Sequence, residues 1–284
     1  MVAAMAGFAL EDMVLKAASR QMPLGQVLLV FGLLGMAAFA VMARRERLFT
    51  YALFSRGMAV RSGFEVAGRL FYSLAVALTP ISVASAILQA TPLVVVLGAA
   101  LIFGEKVGLA RWLAVGAGFV GVLMILRPGL DGFDAMSLLA LTGMLGFAGR
   151  DLATRAAPPT LSNAQLGVAG FGVLAVSGVV LLAVSGGAAL PSVTALVLTA
   201  ATALFAVTAY AALTAAMRTG EVSVVTPFRY TRLVFALILG ALIYAERPDT
   251  MTLLGSAVIV GSGVFALTRR RTRSPDRPLS ESLR

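Results

Sequence analysis

The stretch from Thr226 to Asp249 reads TPFRYTRLVFALILGALIYAERPD, an apolar run that opens with a proline and two arginines and closes near a glutamate. A helix needs about 20 apolar residues to cross roughly 30 Å of hydrocarbon. Arg229 and Arg232 lie inside this run, and a charge taken into lipid costs about 2.5 kcal/mol or more. Such arginines usually face a hydrated interior. The stretch is therefore predicted to be a membrane span that lines a functional cavity.

The same stretch has a counterpart earlier in the chain. Residues 81–105, ISVASAILQATPLVVVLGAALIFGE, align without a gap to residues 222–246, and Glu105 falls on Glu246. The beginning of the chain is also repeated, because GFALEDMVLK near the N-terminus aligns with GFAGRDLATR in mid-chain. That alignment matches Asp12 to Asp151 and Lys16 to Arg155. The sequence therefore predicts two related halves.

The composition places the whole chain in the membrane. Hydrophobic residues make up 59% of the 284 residues and charged residues 13%, whereas soluble domains are about 25% charged. The chain has no cysteine and no histidine, which excludes disulfides and removes the commonest metal ligands and acid–base group. We therefore predict an all-α integral membrane protein without a metal, a cofactor or an enzymatic activity.

The apolar runs predict ten transmembrane helices. They are expected at residues 1–18, 24–43, 62–79, 81–104, 108–126, 135–154, 163–185, 192–217, 222–245 and 250–268. Five spans in each half is an odd number, so the second half enters the membrane from the opposite side. Such an inverted repeat is typical of transporters with a site between the halves near the midplane. The predicted domains are a first repeat at 1–130, a second at 131–270 and a basic tail at 271–284.

The basic residues predict the orientation. The net charge of +10 invites a nucleic-acid interpretation, but the lysines and arginines lie mostly between apolar runs. If the N-terminus is cytoplasmic, the loops and tail on that side hold sixteen of them and the opposite side holds four. Basic loops stay in the cytoplasm. Both termini are therefore predicted to be cytoplasmic, in the inner membrane of a bacterial cell, with no nucleic-acid partner.

The residues also carry a family resemblance. In the first half, a proline at 92 lies in the middle of span four, and that span ends with GE at 104–105. The next span contains a stripe of glycines; it begins with RW at 111–112 and ends with RPG at 127–129. This pattern resembles an EamA repeat of the drug/metabolite transporter superfamily, and so does PFRYTRLVFALILGALIYAERPD in the second half. The resemblance covers nearly the whole chain except the tail.

The resemblance implies a fold and a class of function. It implies ten helices in two inverted five-helix EamA repeats and a central cavity formed by spans one, three, four, six, eight and nine. It also implies transport of small organic solutes. Members of the superfamily include exporters of aromatic and other amino acids, as well as uptake systems for sugars or S-adenosylmethionine. The mechanism class is therefore better defined than the substrate.

Three arginines inside the spans are candidate ligands for a substrate. Arg69, Arg229 and Arg232 are predicted to form a positive ring around the cavity, and guanidinium groups bind carboxylates with two hydrogen bonds. The alternative is that these arginines snorkel, or pair with Glu65 and Glu221 to fix helix positions.

Aromatic and amide residues near mid-span are further candidates. Gln89 and Tyr230 occupy the same position of the two repeats, on cavity-forming spans. The remaining candidates of this kind are Phe8, Tyr72, Tyr210 and Phe228. Tyrosine offers a stacking face and a hydroxyl that needs a partner when it is buried. Simple packing or lipid contact is the alternative for each of them.

Three oppositely charged pairs are spaced four residues apart: Asp12 with Lys16, Glu65 with Arg69, and Asp151 with Arg155. Residues at this spacing share one face of a helix, so ion pairs within each helix are the simplest interpretation. A second interpretation makes Asp12 and Asp151 gate residues that bond across the halves in one state only. Proton coupling through Asp12 or Glu65 is a third.

Prolines and glutamates mark the ends and middles of two related spans. Pro80, Pro92 and Pro227 interrupt the helical hydrogen bonds of spans four and nine and are predicted helix breaks, with simple tolerance of proline as the alternative. Glu105 and Glu246 are predicted to lie at opposite faces of the membrane, where they cap or pair with neighbouring basic residues.

These observations predict a secondary transporter that moves small organic metabolites by alternating access, most simply an exporter of aromatic and other neutral amino acids. Uptake of S-adenosylmethionine, a sugar or a nucleoside is an alternative, as is a channel-like facilitator. The partners are then a small-molecule substrate and the lipid bilayer. The sequence leaves open whether the protein is a monomer or a homodimer.

Overall fold

The computed structural model describes six parts of the chain, residues 1–43, 51–104, 108–127, 134–155, 161–219 and 226–268. Every regular element in these ranges is a helix. The predicted tail at 271–284 lies outside them, as do Glu105 and Glu221, and so do the side chains of Arg155 and Pro227.

Eleven α-helices occur in the described ranges. They are α1 (Val2–Ser19), α2 (Leu24–Met42), α3 (Arg56–Leu78), α4 (Ile81–Leu88), α5 (Thr91–Phe103), α6 (Leu109–Leu126), α7 (Ser137–Arg155), α8 (Asn163–Ser185), α9 (Val193–Thr219), α10 (Thr231–Tyr244) and α11 (Thr250–Thr268). Short 3₁₀ helices cover Tyr51–Phe54 and Thr226–Tyr230.

These elements form the ten predicted spans. Span four consists of α4 and α5, and span nine consists of the Thr226–Tyr230 turn followed by α10. The third span begins at Arg56, six residues before its predicted start at 62, because Ser55 caps it by accepting a hydrogen bond from the Met58 amide at 3.3 Å. Hydropathy alone does not detect this polar first turn.

Only some of the described spans are apolar throughout. Four segments are long and apolar enough to cross a membrane by length and composition: Leu24–Met42, Ile81–Ile102, Ala164–Ser185 and Val193–Leu213. Two more apolar helices, Trp112–Leu126 and Thr250–Phe265, are shorter. The other four spans are α1, α3, α7 and span nine, and each carries ionisable residues within its apolar run.

The main helix contacts join the two halves. The pairs are α1 with α9, α2 with α8, α3 with α7 and α6 with α11. The repeat relates each span to the span five positions along. Spans three and six (α3 and α7) therefore correspond to spans eight and one (α9 and α1). The α2–α8 pair and the α6–α11 pair each correspond to themselves. The packing therefore has the pseudo-two-fold relation of an inverted repeat.

The alternating helices give the bundle two ends. We call the end with Met1 and the end of α11 the terminal end, and the opposite one, where α1, α6 and α10 end, the distal end. At the distal end the halves touch, because Arg127 forms an ion pair with Asp249. The Gln26 side chain also donates to the Ala189 carbonyl at 2.9 Å and accepts from the Ala189 amide at 3.0 Å.

Candidate functional site

A cavity of about 450 Å³ lies between the two halves. Residues from α1, α3, α4, α5, α7, α8, α9, α10 and the Thr226–Tyr230 turn line it. These elements include all six spans that the family resemblance implies, and Leu166 of α8 adds a contact from span seven. The volume falls within the range of about 300–1,000 Å³ that is usual for small-molecule sites.

The charges in the cavity explain why four spans are less apolar than the others. The ionisable acidic and basic residues that line it are Glu11, Asp12, Arg61, Glu65, Arg69, Arg150, Asp151, Arg229 and Arg232. All nine lie on α1, α3, α7 or span nine. These helices can carry charge across the membrane because the charged face is turned to the cavity rather than to lipid.

An ion pair between the halves lies on one wall of the cavity. Asp12 accepts from the Arg232 guanidinium at 2.6 Å and from the Tyr72 hydroxyl at 3.0 Å. The Arg232 guanidinium carbon lies over the rings of Phe8 and Tyr72, at 5.2 Å and 5.4 Å from their centroids. Two acceptor contacts and two aromatic faces therefore hold this buried pair in place.

The predicted Asp12–Lys16 ion pair is wrong. The Lys16 ammonium group extends toward the distal end, where it donates to the Thr79 carbonyl and lies 3.6 Å from Glu246. Asp12 instead bonds with Arg232, 220 residues away in the chain. Spacing along a helix identifies partners only within that helix. The Arg232 guanidinium group comes from the other half and is a closer donor to the buried Asp12 carboxylate than Lys16 is.

The predicted Glu65–Arg69 pair is also wrong. Glu65 pairs with Arg61 at 2.9 Å, in the opposite direction along α3, and lies 3.6 Å from Arg150 of α7. Arg69 lies 3.5 Å from Glu11 of α1. Both residues of the predicted pair therefore have partners on other helices, because α3 packs against α7 and α1 at this level.

Asp151 takes part in the cluster on α3 and α7. It pairs with its neighbour Arg150 at 2.8 Å. The predicted pairing of Asp151 with Arg155 involves a side chain outside the described residues. Arg61 and Arg150 are two of the sixteen basic residues that the orientation argument assigns to the cytoplasmic loops and tail, but they line the cavity instead.

Arg229 differs from the other cavity arginines. Among the residues that the structure describes, no carboxylate lies within 4.0 Å of its guanidinium group. The described lining holds five arginines and four carboxylates, so one positive charge is in excess. Arg229 carries that excess charge.

The remaining predicted contacts divide into two groups. Tyr72, Gln89, Tyr210 and Tyr230 line the cavity, together with Arg69, Arg229 and Arg232. Phe228 does not line it, because its side chain is 47% exposed on the outer surface of the turn. A 3₁₀ turn directs neighbouring side chains in different directions, so Phe228 and Arg229 separate.

Gln89 and Tyr230 hold the two interrupted spans in place. Gln89 donates to the main-chain carbonyl of Arg229 at 3.0 Å, which joins the break in span four to the turn in span nine. Tyr230 is buried, and its hydroxyl lies against Gly263 of α11, where an added Cβ would be 1.6 Å from the oxygen. The Tyr230 ring therefore faces the cavity while its hydroxyl does not offer a direct substrate contact.

The prolines lie at helix starts. Pro80 immediately precedes α4, Pro92 is the second residue of α5, and Pro227 belongs to the turn before α10. Pro92 has no N–H with which to bond the Leu88 carbonyl four residues earlier. The Thr91 hydroxyl donates to that carbonyl instead, at 2.5 Å. A neighbouring side chain thus satisfies the acceptor that the proline leaves free, as membrane helices require.

We expect Thr91→Val to destabilise the protein. It keeps the side-chain shape but leaves the buried Leu88 carbonyl without that donor, which costs about 1–3 kcal/mol. The midpoint of thermal unfolding in detergent should fall by several degrees. Thr208→Val is the matched control, because the Thr208 hydroxyl also bonds a carbonyl, that of Leu204 at 2.8 Å, but within an unbroken helix. Equal shifts in the two variants would contradict the role of Thr91.

One charged side chain of the cavity lining escapes the sequence analysis, and the partners of a second differ from those predicted. Glu11 pairs with Arg69, but its repeat counterpart is Arg150, so the alignment gives no signal for it. Its Oε2 atom is buried and has no hydrogen-bond partner among the described residues. Glu246 is predicted to cap or pair with neighbouring basic residues; it caps the start of α4 in the other half, and its basic partner is Lys16, also of the other half.

Comparisons with known proteins agree with this architecture. A model of the EamA-like transporter family matches residues 1–127 and 135–268. A riboflavin transporter of Rhizobium johnstonii is 28% identical over 206 residues, 70% of this chain and 66% of that protein, so the aligned region spans just under two thirds of this relative's length. An S-adenosylmethionine uptake transporter of Rickettsia prowazekii is 22% identical over 200 residues, 70% of this chain and 67% of that protein.

Two further similarities cover most of the chain. A pseudopaline exporter of Pseudomonas aeruginosa is 25% identical over 270 residues, 93% of each protein. One crystal structure has a TM-score of 0.60 and 16% sequence identity, and the match covers 93% of this chain and 97% of that one. At this identity the structural match shows a shared fold.

Proposed function

Because this chain belongs to the EamA-like transporter family, we propose that it carries a small carboxylate-bearing metabolite, most simply an aromatic or other neutral amino acid, by alternating access. Transport of small metabolites across a membrane follows from the family. The choice of substrate rests on one observation, the excess positive charge of Arg229 in a cavity that otherwise balances its charges.

The excess charge favours an anionic group on the substrate. A buried cation without a counterion is unfavourable, since its desolvation is not compensated. A substrate carboxylate compensates it with two charge-assisted hydrogen bonds in the plane of the guanidinium group. Without substrate, the charge of Arg229 is therefore uncompensated, and substrate binding provides its counterion.

The rest of the lining fits an amino acid. Glu11 presents a buried oxygen without a hydrogen-bond partner among the described residues, and a substrate ammonium group supplies one. The rings of Phe8, Phe147 and Tyr210 also line the cavity and suit an aromatic or apolar side chain. The relatives are named for riboflavin, S-adenosylmethionine and pseudopaline, so the cavity rather than the family supports this choice.

The direction proposed is export from the cytoplasm of a bacterial cell. Arg61, Arg150 and Lys16 lie inside helices, and without them the basic residues number fourteen on the side of the terminal end and three on the distal side. This asymmetry supports a cytoplasmic terminal end. The lining residues Met5, Arg61 and Asp151 lie on the terminal-end halves of their helices, which suits loading from the cytoplasm.

Counterflow in liposomes tests the proposal. Purified protein is reconstituted into liposomes, and each batch is loaded with one unlabelled compound. The compounds tested are amino acids, sugars, nucleosides, riboflavin and S-adenosylmethionine. Uptake of the labelled form of the same compound from outside is then measured. We expect saturable, transiently concentrative uptake for an aromatic or other neutral amino acid and none in protein-free liposomes. Saturable counterflow of a non-amino-acid alone would overturn the substrate proposal. Unsaturable flux would indicate a channel-like facilitator and overturn alternating access.

A further inference from the structure

The side chain of Glu246 crosses from the second half of the protein to the first. Its Oε1 atom accepts from the Ile81 amide at 2.7 Å, and its Oε2 atom accepts from the amide and the hydroxyl of Ser82 at 3.1 Å and 2.8 Å. These donors form the first turn of α4. Helix caps usually come from the residue next to the helix, whereas this one comes from 165 residues away.

The backbone after α10 is shaped to deliver this carboxylate. Ala245 adopts a left-handed conformation with φ of 52°, and the Glu246 amide bonds back to the Gly240 carbonyl at 3.0 Å. The carboxylate then passes over Gly240, where an added Cβ would lie 2.5 Å from Oε2. A left-handed non-glycine residue is strained, so the bonds of Glu246 maintain an unfavourable turn.

The end of α1 packs against the same carboxylate. The Lys16 ammonium group lies 3.6 Å from Glu246 Oε1 and donates to the Thr79 carbonyl just before α4. The Tyr244 hydroxyl donates to the Met13 carbonyl at 2.6 Å. Together these contacts join α1 and α4 of the first half to the end of α10 in the second half.

The residues of these contacts line one of two cavities. A cavity of about 280 Å³ lies at the distal end, and Ser82 and Glu246 line it together with Arg127, Asp134 and Asp249. Neither Ser82 nor Glu246 lines the central cavity, whose lining includes Leu15, next to Lys16. The bonded carboxylate therefore lines the distal pocket but not the central cavity.

We propose that Glu246 is the gate residue of the distal end. The inference rests on the proposed alternating access and deepens it. Within the part of the chain that the structure describes, every hydrogen bond of the Glu246 side chain crosses between the halves, so these bonds form in only one arrangement of the halves. Rotation of one half relative to the other breaks them together and joins the distal pocket to the central cavity. Lys16 is the positioning residue that holds the carboxylate against α4.

Cysteine labelling tests the gate without a substrate. The chain contains no cysteine, so Ser73→Cys provides a single reporter in the central cavity. A membrane-impermeant maleimide is added outside membrane vesicles that contain the protein. Vesicles of one orientation expose the distal side to the reagent, and vesicles of the other orientation expose the terminal side. Glu246→Gln keeps the side-chain shape but removes the charge, and its amide NH₂ group would face the Ile81 and Ser82 amides, which are themselves donors. We expect Glu246→Gln to raise labelling from the distal side by about fivefold or more and to lower it from the terminal side.

Asp134→Asn is the matched control. It neutralises another carboxylate of the distal pocket, one that accepts a hydrogen bond from the Met136 amide at 2.9 Å within the second half. Labelling should not change in this variant. Parental labelling rates from both sides in Glu246→Gln would overturn the gate, and so would an equal rise in Asp134→Asn.

A second variant covers the case in which Glu246→Gln does not fold. Ser82→Ala combined with Lys16→Gln leaves both main-chain bonds of the cap in place and removes the other two contacts of the carboxylate. Labelling is again expected to rise from the distal side and to fall from the terminal side, and unchanged labelling would overturn the gate. Because labelling needs no substrate, a failed gate beside saturable counterflow overturns this inference alone. Absent counterflow beside a working gate overturns the proposed substrate transport alone.

Discussion

Replacement of Arg229 by alanine is expected to weaken substrate binding in counterflow by about a hundredfold while the protein still reaches the membrane. Hydrogen bonds to charged groups contribute about 1.5–3 kcal/mol each, and a bidentate carboxylate loses two of them. Each 1.4 kcal/mol is a factor of ten in affinity. The measurement is the substrate concentration at half-maximal counterflow in liposomes with matched amounts of protein.

The stability of the same variant should move in the opposite direction. Arg229 is half-buried and has no counterion within 4.0 Å among the described residues, so its removal relieves an uncompensated charge instead of breaking an ion pair. We expect the midpoint of thermal unfolding without substrate to stay the same or to rise. Loss of transport with unchanged or higher stability is the pattern of a residue kept for function.

Two further variants define what Arg229 supplies. Arg229→Lys keeps the charge but loses the planar fork, so its effect should lie between those of the parent and of alanine. Val234→Ala is the control on the same span, because Val234 is 54% exposed and does not line the cavity. Parental counterflow in Arg229→Ala, or equal losses in Arg229→Ala and Val234→Ala, would remove Arg229 from the binding site.

The sequence predicts the fold well because the bilayer imposes strong rules on it. Apolar length determines the number of spans, and the odd number per repeat determines the inversion. The pairing of α2 with α8 and of α6 with α11 is compatible with that symmetry, but the symmetry alone does not predict it. The start of α3 at Arg56 is missed, since it depends on a single side-chain bond from Ser55. The break between α4 and α5, by contrast, lies next to Pro92, as predicted.

The site is predicted by position more successfully than by contact. The resemblance and the buried charges place Arg69, Arg229 and Arg232 in the cavity, where the structure has them. Spacing along one helix gives the wrong partners for Asp12 and Glu65, because their partners come from helices that are distant in sequence. A single sequence without an alignment does not specify which faces of α1, α3 and α7 meet.

The repeat equivalence of Gln89 and Tyr230 shows the same limit. Gln89 lies at the break between α4 and α5, and Tyr230 is the last residue of the Thr226–Tyr230 turn before α10. Their polar atoms, however, face the Arg229 carbonyl and Gly263, so the two residues support the backbone of the turn. Equivalent positions in an inverted repeat have similar places in their spans. Their side chains differ, however, and so do the contacts that the side chains make.

Neutralisation of either partner in the Asp12–Arg232 pair is the other change with a large expected effect. Removal of one member of a buried ion pair costs about 3–5 kcal/mol, because the other charge remains buried. Asp12→Asn and Arg232→Gln should therefore each lower the unfolding midpoint strongly and abolish counterflow. Tyr72→Phe removes only the 3.0 Å hydroxyl contact and should have a smaller effect on both.

The double variant Asp12→Asn/Arg232→Gln separates stability from transport. Two neutral side chains can share a hydrogen bond, so we expect stability to return to within about 1 kcal/mol of the parent. Counterflow should stay low, because the pair joins the two halves across the cavity and its charges must separate and meet again as the halves move. Recovery of both properties would instead make the pair a static support. Recovery of neither would mean that Asp12 and Arg232 each have a separate partner in the folded protein.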